Sequence, residues 1–150
     1  MRVLVPLDGS DQAWKAFEVA VDLARARGGE LLCLHVVRAE RPAPSLQALA
    51  YAEGLLLEEE IARRREALAL GDDLTREAER RAHAMGLEQV RGIAAAGDTA
   101  DEILTNVRDE EVDVIVMGMP SGHGILVRGL LGGGLRKVAR QAPCTCIFVK

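Results

Sequence analysis

The sequence predicts one α/β domain, a three-layer α/β/α sandwich around a five-stranded parallel sheet. Three observations carry this. Short apolar runs alternate with stretches of helical periodicity, the pattern of a parallel sheet with helices on both faces. The run Leu31–Val37, LLCLHVV, is almost continuously apolar, as expected of a strand buried on both faces. At 150 residues the chain is most simply a single domain, long enough to bury a real core.

Val3–Pro6 reads as the first strand. Asp8-Gly9-Ser10-Asp11 follows as a turn that ends in a helix cap, where Ser10 or Asp11 accepts from the first free N–H groups. Ala13–Arg27 places Ala13, Phe17, Ala20, Val21 and Ala24 at helical spacing, and Gly28-Gly29 stops it. Leu31–Val37 is the second strand, and Pro42 and Pro44 mark a loop. From about Ser45 to Met85 the pattern is helical and charged, with Glu59/Arg63 and Glu60/Arg64 at i,i+4. Gly71-Asp72 is expected to break or bend this stretch, with Asp72 or Asp73 capping a second helix. Gln89–Ala95 is the third strand. Gly97–Arg108 is a capped helix with Ala100, Ile103, Leu104 and Val107 on one face. Val112–Met117 is the fourth strand. A glycine-rich segment leads to a helix from about Leu135 to Gln141, which Ala142-Pro143 ends, and Cys144–Val149 is the last strand.

Right-handed crossovers restrict the topology of such a chain. With strand order 3-2-1-4-5, the order reverses between strands one and four, and ligands on open α/β sheets bind at the carboxyl ends of the strands at that point. The segments leaving those two strands are Pro6-Leu7-Asp8 and residues 118–134, GMPSGHGILVRGLLGGG, in which seven of seventeen positions are glycine. Topology therefore sets a carboxylate opposite a glycine-rich segment. Glycine lets backbone N–H groups approach an anion closely, and the helix that follows adds its dipole. Gly132-Gly133-Gly134 suits that role. No Gly-Lys-Ser/Thr occurs, so this is not a Walker A loop, and no G-x-G-x-x-G opens the first strand–helix turn. On composition alone a phosphate nest and a plain flexible connector stand level.

Composition narrows the function classes. About half of the residues are hydrophobic and aromatics are scarce (Trp14, Phe17, Tyr51 and Phe148), so the core must be aliphatic. A formal net charge of −4 argues against a nucleic-acid partner. No uncharged apolar run approaches a membrane span, and MRVLVPLDGS is too short an apolar run for a secretory leader. The chain reads as cytoplasmic with no membrane association. Three cysteines do not suit a disulfide framework. Cys144 and Cys146 share a strand face and read as small buried thiols rather than zinc ligands. No Ser-His-Asp or Cys-His set is visible, and no pair of carboxylates flanks the glycine segment, so an efficient hydrolase is not expected.

Four segments in order resemble the universal stress proteins over nearly the whole chain: VLVPLDGSD at the start, LHVV closing strand two, DVIVMG closing strand four, and RGLLGGGLRKVARQAPCTCIFV at the end. ATP-binding members of that family carry G-x2-G-x9-G-[ST] after strand four. Counting back from Ala142-Pro143-Cys144 sets the third glycine at Gly132, with Gly122 nine intervening residues earlier. Two departures follow. Three residues rather than two separate Gly118 from Gly122, and Gly133 stands where the family has a hydroxyl. Losing one hydrogen bond to a charged, dry phosphate costs about 1–3 kcal/mol, or roughly tenfold to a hundredfold in affinity.

The resemblance implies an adenine-nucleotide site, with ATP and possibly Mg or Mn as the cofactor. Carried over by position, it sets Asp8 near the ribose, Pro6 and Leu7 beside the adenine, and Val36 in the base pocket. Met117 and Gly118 meet the adenine edge or ribose. Gly122, Gly132, Gly133 and Gly134 meet the phosphates, as does His123 if it is more than an exposed loop histidine. No catalytic residue and no protein metal ligand is implied. Arg128, Arg136 and Lys137 lie near the phosphate position. The function implied is an ATP-binding stress-response regulator, a nucleotide-dependent switch with little or no turnover. The alternative is a dimeric interaction module that has lost nucleotide binding, a direction in which Gly133 points. A hydrolase of the related adenine-nucleotide alpha group is a third reading, but its Ser-Gly-Gly-x-Asp-Ser and His-x-Gly-His motifs are missing. A homodimer through the apolar C-terminal edge strand, CTCIFVK, is expected, together with an unknown protein partner. The whole chain, 1–150, is one domain, with residues 40–85 as an extended helical crossover that covers the site or adds to a subunit interface.

Overall fold

The computed structural model describes residues 1–38, 56–119 and 132–150. The elements run β1 (Arg2–Pro6), α1 (Asp11–Ala26), β2 (Glu30–Arg38), α2 (Leu56–Ala84), β3 (Val90–Gly97), α3 (Thr99–Asp109), β4 (Val114–Gly118), α4 (Gly132–Gln141) and β5 (Thr145–Val149). The strands form one parallel sheet in the order β3-β2-β1-β4-β5. This is the expected α/β sandwich with the expected order. The loop at Pro42 and Pro44 lies outside the described residues.

Side chains alternate across a strand, so β1 feeds two cores at once. Val3 and Val5 point to one face, where they meet Phe17, Ala20, Val21 and Ala24 of α1 and Ala78 and Ala82 of α2. Leu4 points to the other, with Leu32, Leu34 and Ile115, under Ile103, Leu104 and Val107 of α3 and Val138 of α4. The register fixes this division, since Leu4 sits beside Leu32 on one side and Ile115 on the other. Fully burying one such side chain contributes about 1.5–3 kcal/mol. Cys33 lies inside the first core, where burial, and then the charge of Glu79, pushes its thiol up to about 12.

Local chemistry sets the helix starts. Ser10 caps α1, its hydroxyl accepting from Ala13 N–H at 3.2 Å. Asp98 caps α3 by accepting from the N–H groups of Ala100 and Asp101.

The expected break at Gly71-Asp72 does not occur, because α2 runs unbroken from Leu56 to Ala84. The glycine serves a close approach instead. A Cβ at Gly71 would lie 2.9 Å from His35 Cδ2 and 3.3 Å from Ala94 Cβ, so the helix crosses β2 and β3 at a point with no room for a side chain. Asp72 and Asp73 cap nothing. They lie 4.0 and 3.6 Å from the guanidinium of Arg76, one turn on.

This packing yields a test. Alanine is the better helix former by about 1 kcal/mol, yet Gly71→Ala must displace a ring that is itself hydrogen-bonded. We expect a net loss of about 1–2 kcal/mol in urea unfolding. Stability equal to or above wild type would show that the contact yields freely.

Candidate functional site

The chain leaving β1 is pinned before it turns. Leu7 N–H donates to Leu34 C=O at 2.7 Å, and His35 Nδ1 donates to Leu7 C=O at 2.7 Å. Gly9, at φ +80°, then reverses the direction, a conformation glycine adopts without strain. Asp8 stabilises the same turn, its Oδ1 accepting from Ser10 N–H at 2.9 Å. The residue is exposed and its second carboxylate oxygen has no partner among the described residues. Asp8 is therefore a turn residue with one oxygen to spare.

Beside it opens a cavity of about 630 Å³ at the carboxyl ends of β1, β2 and β4, where the strand order reverses. Of the positions singled out in the sequence, Pro6, Leu7, Asp8, Val36, Met117, Gly118 and Gly134 all line it. Gly132 heads α4, and Gly133 faces a neighbouring cleft instead. Gly122 and His123 lie outside the described residues, as does Arg128.

Sequence reasoning missed two walls. Thr99, Ala100 and Ile103 bring the first turn of α3 to the cavity, and Ser10, Gln12 and Ala13 bring that of α1. Ala100 and Ile103 read in sequence as core residues, and they are buried. Only the position of α3 relative to the strand ends makes them lining residues as well. Gln12 Oε1 is buried and has no hydrogen-bond partner among the described residues.

The last helix starts three residues earlier than its apolar spacing indicates. Gly132-Gly133-Gly134 is not a loop before α4 but its first turn. The free donors there are the unpaired N–H groups of a helix N-terminus, which favour an anion. Gly133 and Gly134 are not forced by packing against the described residues. A Cβ at Gly133 would meet nothing within 4 Å, and one at Gly134 would only touch Ala100 Cβ at 3.9 Å.

Gly118 differs. A Cβ there would fall 2.4 Å from the carbonyl oxygen of Gln12 and 2.6 Å from its carbon. The end of β4 is packed against the backbone of α1, so this glycine has a reason independent of any ligand.

Lys137 joins two of the helices that meet at the cavity. Its ammonium lies 2.6 Å from Asp101 Oδ1 and 3.9 Å from Asp98 Oδ1, and the bond to Asp101 holds it above the usual lysine range. Among the described residues no group of three His, Cys, Asp or Glu side chains is placed to hold a metal, and no helix is long and apolar enough to cross a membrane.

A model of the universal stress protein family matches residues 1–150. Universal stress protein YxiE of Bacillus subtilis is 33% identical over 150 residues, covering 99% of this chain and 98% of that one. Among solved structures, the universal stress protein UspA from Lactobacillus plantarum superposes with a TM-score of 0.70 at 26% identity, covering 100% of this chain and 97% of that chain. Two others share the fold at lower identity. One is a universal stress protein in complex with cAMP, with TM-score 0.68, 22% identity and coverage of 100% and 97%. The other is an Arabidopsis thaliana family protein with AMP bound, with TM-score 0.66, 21% identity and coverage of 100% and 91%.

The contact at Gly118 generates a prediction. Gly118→Ala presses a methyl group on backbone that cannot swing aside, so the loss should exceed that of Gly71→Ala and reach about 2–3 kcal/mol. Chemical denaturation of the two variants side by side checks the order. A Gly118→Ala protein as stable as wild type would mean that β4 and α1 separate easily.

Proposed function

The chain belongs to the universal stress protein family, and we propose that it binds ATP with a divalent cation in this cavity and acts as a nucleotide-dependent regulatory switch with little or no turnover. The observation that carries the reading is the convergence in one cavity of an apolar wall, a carboxylate with a free oxygen, and the N-terminal turn of α4. Val36 and Met117, with Ile103 opposite, suit an adenine ring. Asp8 suits ribose hydroxyls. Gly132, Gly133 and Gly134 offer N–H groups to phosphate. The AMP and cAMP complexes of the two structural neighbours support the choice of an adenine nucleotide. The cation, Mg or Mn, would be held by phosphate oxygens and water, as is usual for Mg.

Gly133 favours a second reading, a dimeric interaction module without nucleotide. The hydroxyl that ATP-binding relatives are expected to carry is missing there. The edge strand β5 leaves Phe148 37% exposed, an apolar feature suited to pairing with a second copy. Residues 40–85, which include α2, would then add to the interface or cover the site.

Calorimetric titration of ATP-Mg and ADP separates these readings. Wild type should bind, and Asp8→Ala should weaken binding about tenfold through the lost ribose contact. No heat at high micromolar protein, with no nucleotide released on denaturation, would sink the first reading. Binding indifferent to Asp8→Ala would move the site elsewhere.

Because the space around Gly133 is open, Gly133→Ser should fold normally and raise triphosphate affinity by about tenfold. An unchanged affinity would show that no phosphate reaches that turn. Multiple-turnover phosphate release well above background would argue for an enzyme.

A further inference from the structure

His35 stands behind the cavity rather than in it. Side chains alternate along β2, so Val36 lines the cavity while half-buried His35 points to the opposite face of the sheet, towards α2. Its ring meets two elements. Nδ1 lies 2.7 Å from Leu7 C=O, and since a carbonyl only accepts, Nδ1 carries the proton. Cδ2 lies over Gly71 of α2, where a Cβ would come within 2.9 Å. One side chain thus spans from a helix that crosses β2 to the peptide that leaves β1.

That peptide is the last fixed unit before the turn. Leu7 N–H donates to Leu34 C=O at 2.7 Å, and Leu7 C=O is held by His35. The peptide plane from Leu7 C=O runs through to Asp8 N, so fixing the carbonyl fixes the start of Asp8. Beyond it, Gly9 at φ +80° absorbs rotation readily. The bond from Ser10 N–H to Asp8 Oδ1 closes the turn on itself but does not tie it to the sheet. His35 supplies that tie, and the bare backbone at Gly71 leaves room for the ring to supply it.

We propose that His35 is a positioning residue for the nucleotide site and its link to α2: through Leu7 C=O it sets the Asp8 carboxylate for the ligand, and the seat of α2 at Gly71 sets His35. The inference rests on the proposed nucleotide site and deepens it. Such a coupling runs both ways. A nucleotide held by Asp8 tightens the seat of α2, and a displaced α2 weakens the nucleotide. Occupancy of the cavity thereby reaches a helix of 29 residues that packs with the other core, away from Val36.

The test titrates ATP-Mg by calorimetry into the full chain as wild type, His35→Leu, His35→Asn, Gly71→Ala and Asp8→Ala. The double variants His35→Leu/Asp8→Ala and His35→Leu/Gly71→Ala complete two cycles. Each protein is titrated below its circular dichroism melt. Leucine fills the space of the ring without a donor, whereas asparagine Nδ2 stands in for Nδ1. His35→Leu should weaken ATP binding about three- to tenfold, as for one lost hydrogen bond, and His35→Asn should recover most of it. Gly71→Ala, at a position that does not line the cavity, should also weaken binding. Adding His35→Leu to Asp8→Ala, or Gly71→Ala to His35→Leu, should lower affinity no further. Amide hydrogen exchange reads the reverse direction: ATP should slow exchange around Gly71 in wild type and not in His35→Leu. Wild-type affinity in His35→Leu, or losses that multiply in the double variant with Asp8→Ala, overturns the link and leaves the nucleotide site standing. A wild type that binds no ATP overturns both.

Discussion

Burial of β1 at the centre of the sheet is the constraint on which the rest of the molecule depends. Val3, Leu4 and Val5 are fully inaccessible, with Val3 and Val5 in one core and Leu4 in the other. The strand is tied at both ends. Arg2 N–H donates to Asp113 Oδ2 at 2.7 Å, and Asp113 N–H returns a bond to Arg2 C=O at 3.0 Å. At the other end, Leu7 is held to Leu34 and His35. A central strand held this way releases its chain only beyond its carboxyl end. Asp8 and the turn at Gly9 therefore stand at the switch point whatever ligand is bound there.

The glycines divide by what surrounds them. Gly71 and Gly118 are close approaches, one of a helix to two strands and one of a strand end to a helix backbone. Gly9 is a conformational requirement. Gly133 is none of these, since its surroundings are open and α4 would run more stably with almost any other residue in place of a glycine. Three successive glycines in the first turn weaken the helix, and Gly133 and Gly134 relieve no clash among the described residues. That cost is consistent with keeping the N-terminal donors bare.

The strands, their order and the cap of α1 were legible because each rests on local pattern or on a topological rule. Ser10 and the apolar spacing of α1 needed no tertiary information. The continuity of α2 was not legible. Gly71-Asp72 is a good breaker by local preference, and the packing that overrides it comes from His35 and Ala94, distant in sequence. The site was half legible for a related reason. Strand ends at a switch point follow from topology, which brings Pro6–Asp8 and Gly118 to the cavity, while Val36 and Met117, which also line it, came from the family resemblance. Thr99, Ala100 and Ile103 were not, because a core-facing residue and a cavity-lining one have the same spacing on a helix. The start of α4 was missed because glycine has no apolar side chain to mark helical period.

On the proposed reading, charge then decides how a nucleotide would lie. Three helix N-termini meet at the cavity, those of α1, α3 and α4. Each carries the positive end of a helix dipole. At α1 it faces Asp11 in the first turn and the Ser10 hydroxyl. At α3 it is answered by the Asp98 cap together with Asp101 and Glu102. Only at α4 does the first turn hold no acidic residue; Lys137, one turn on, is paired with Asp101 and Asp98 of α3. An anion at the cavity would find its most favourable helix start at α4, whose first turn holds no acidic residue. The base of the proposed nucleotide would then face the apolar side of the α3 turn, where Ala100 and Ile103 line the cavity. The orientation thus follows from the distribution of acidic residues among three helix starts, independently of any single contact in the glycine segment.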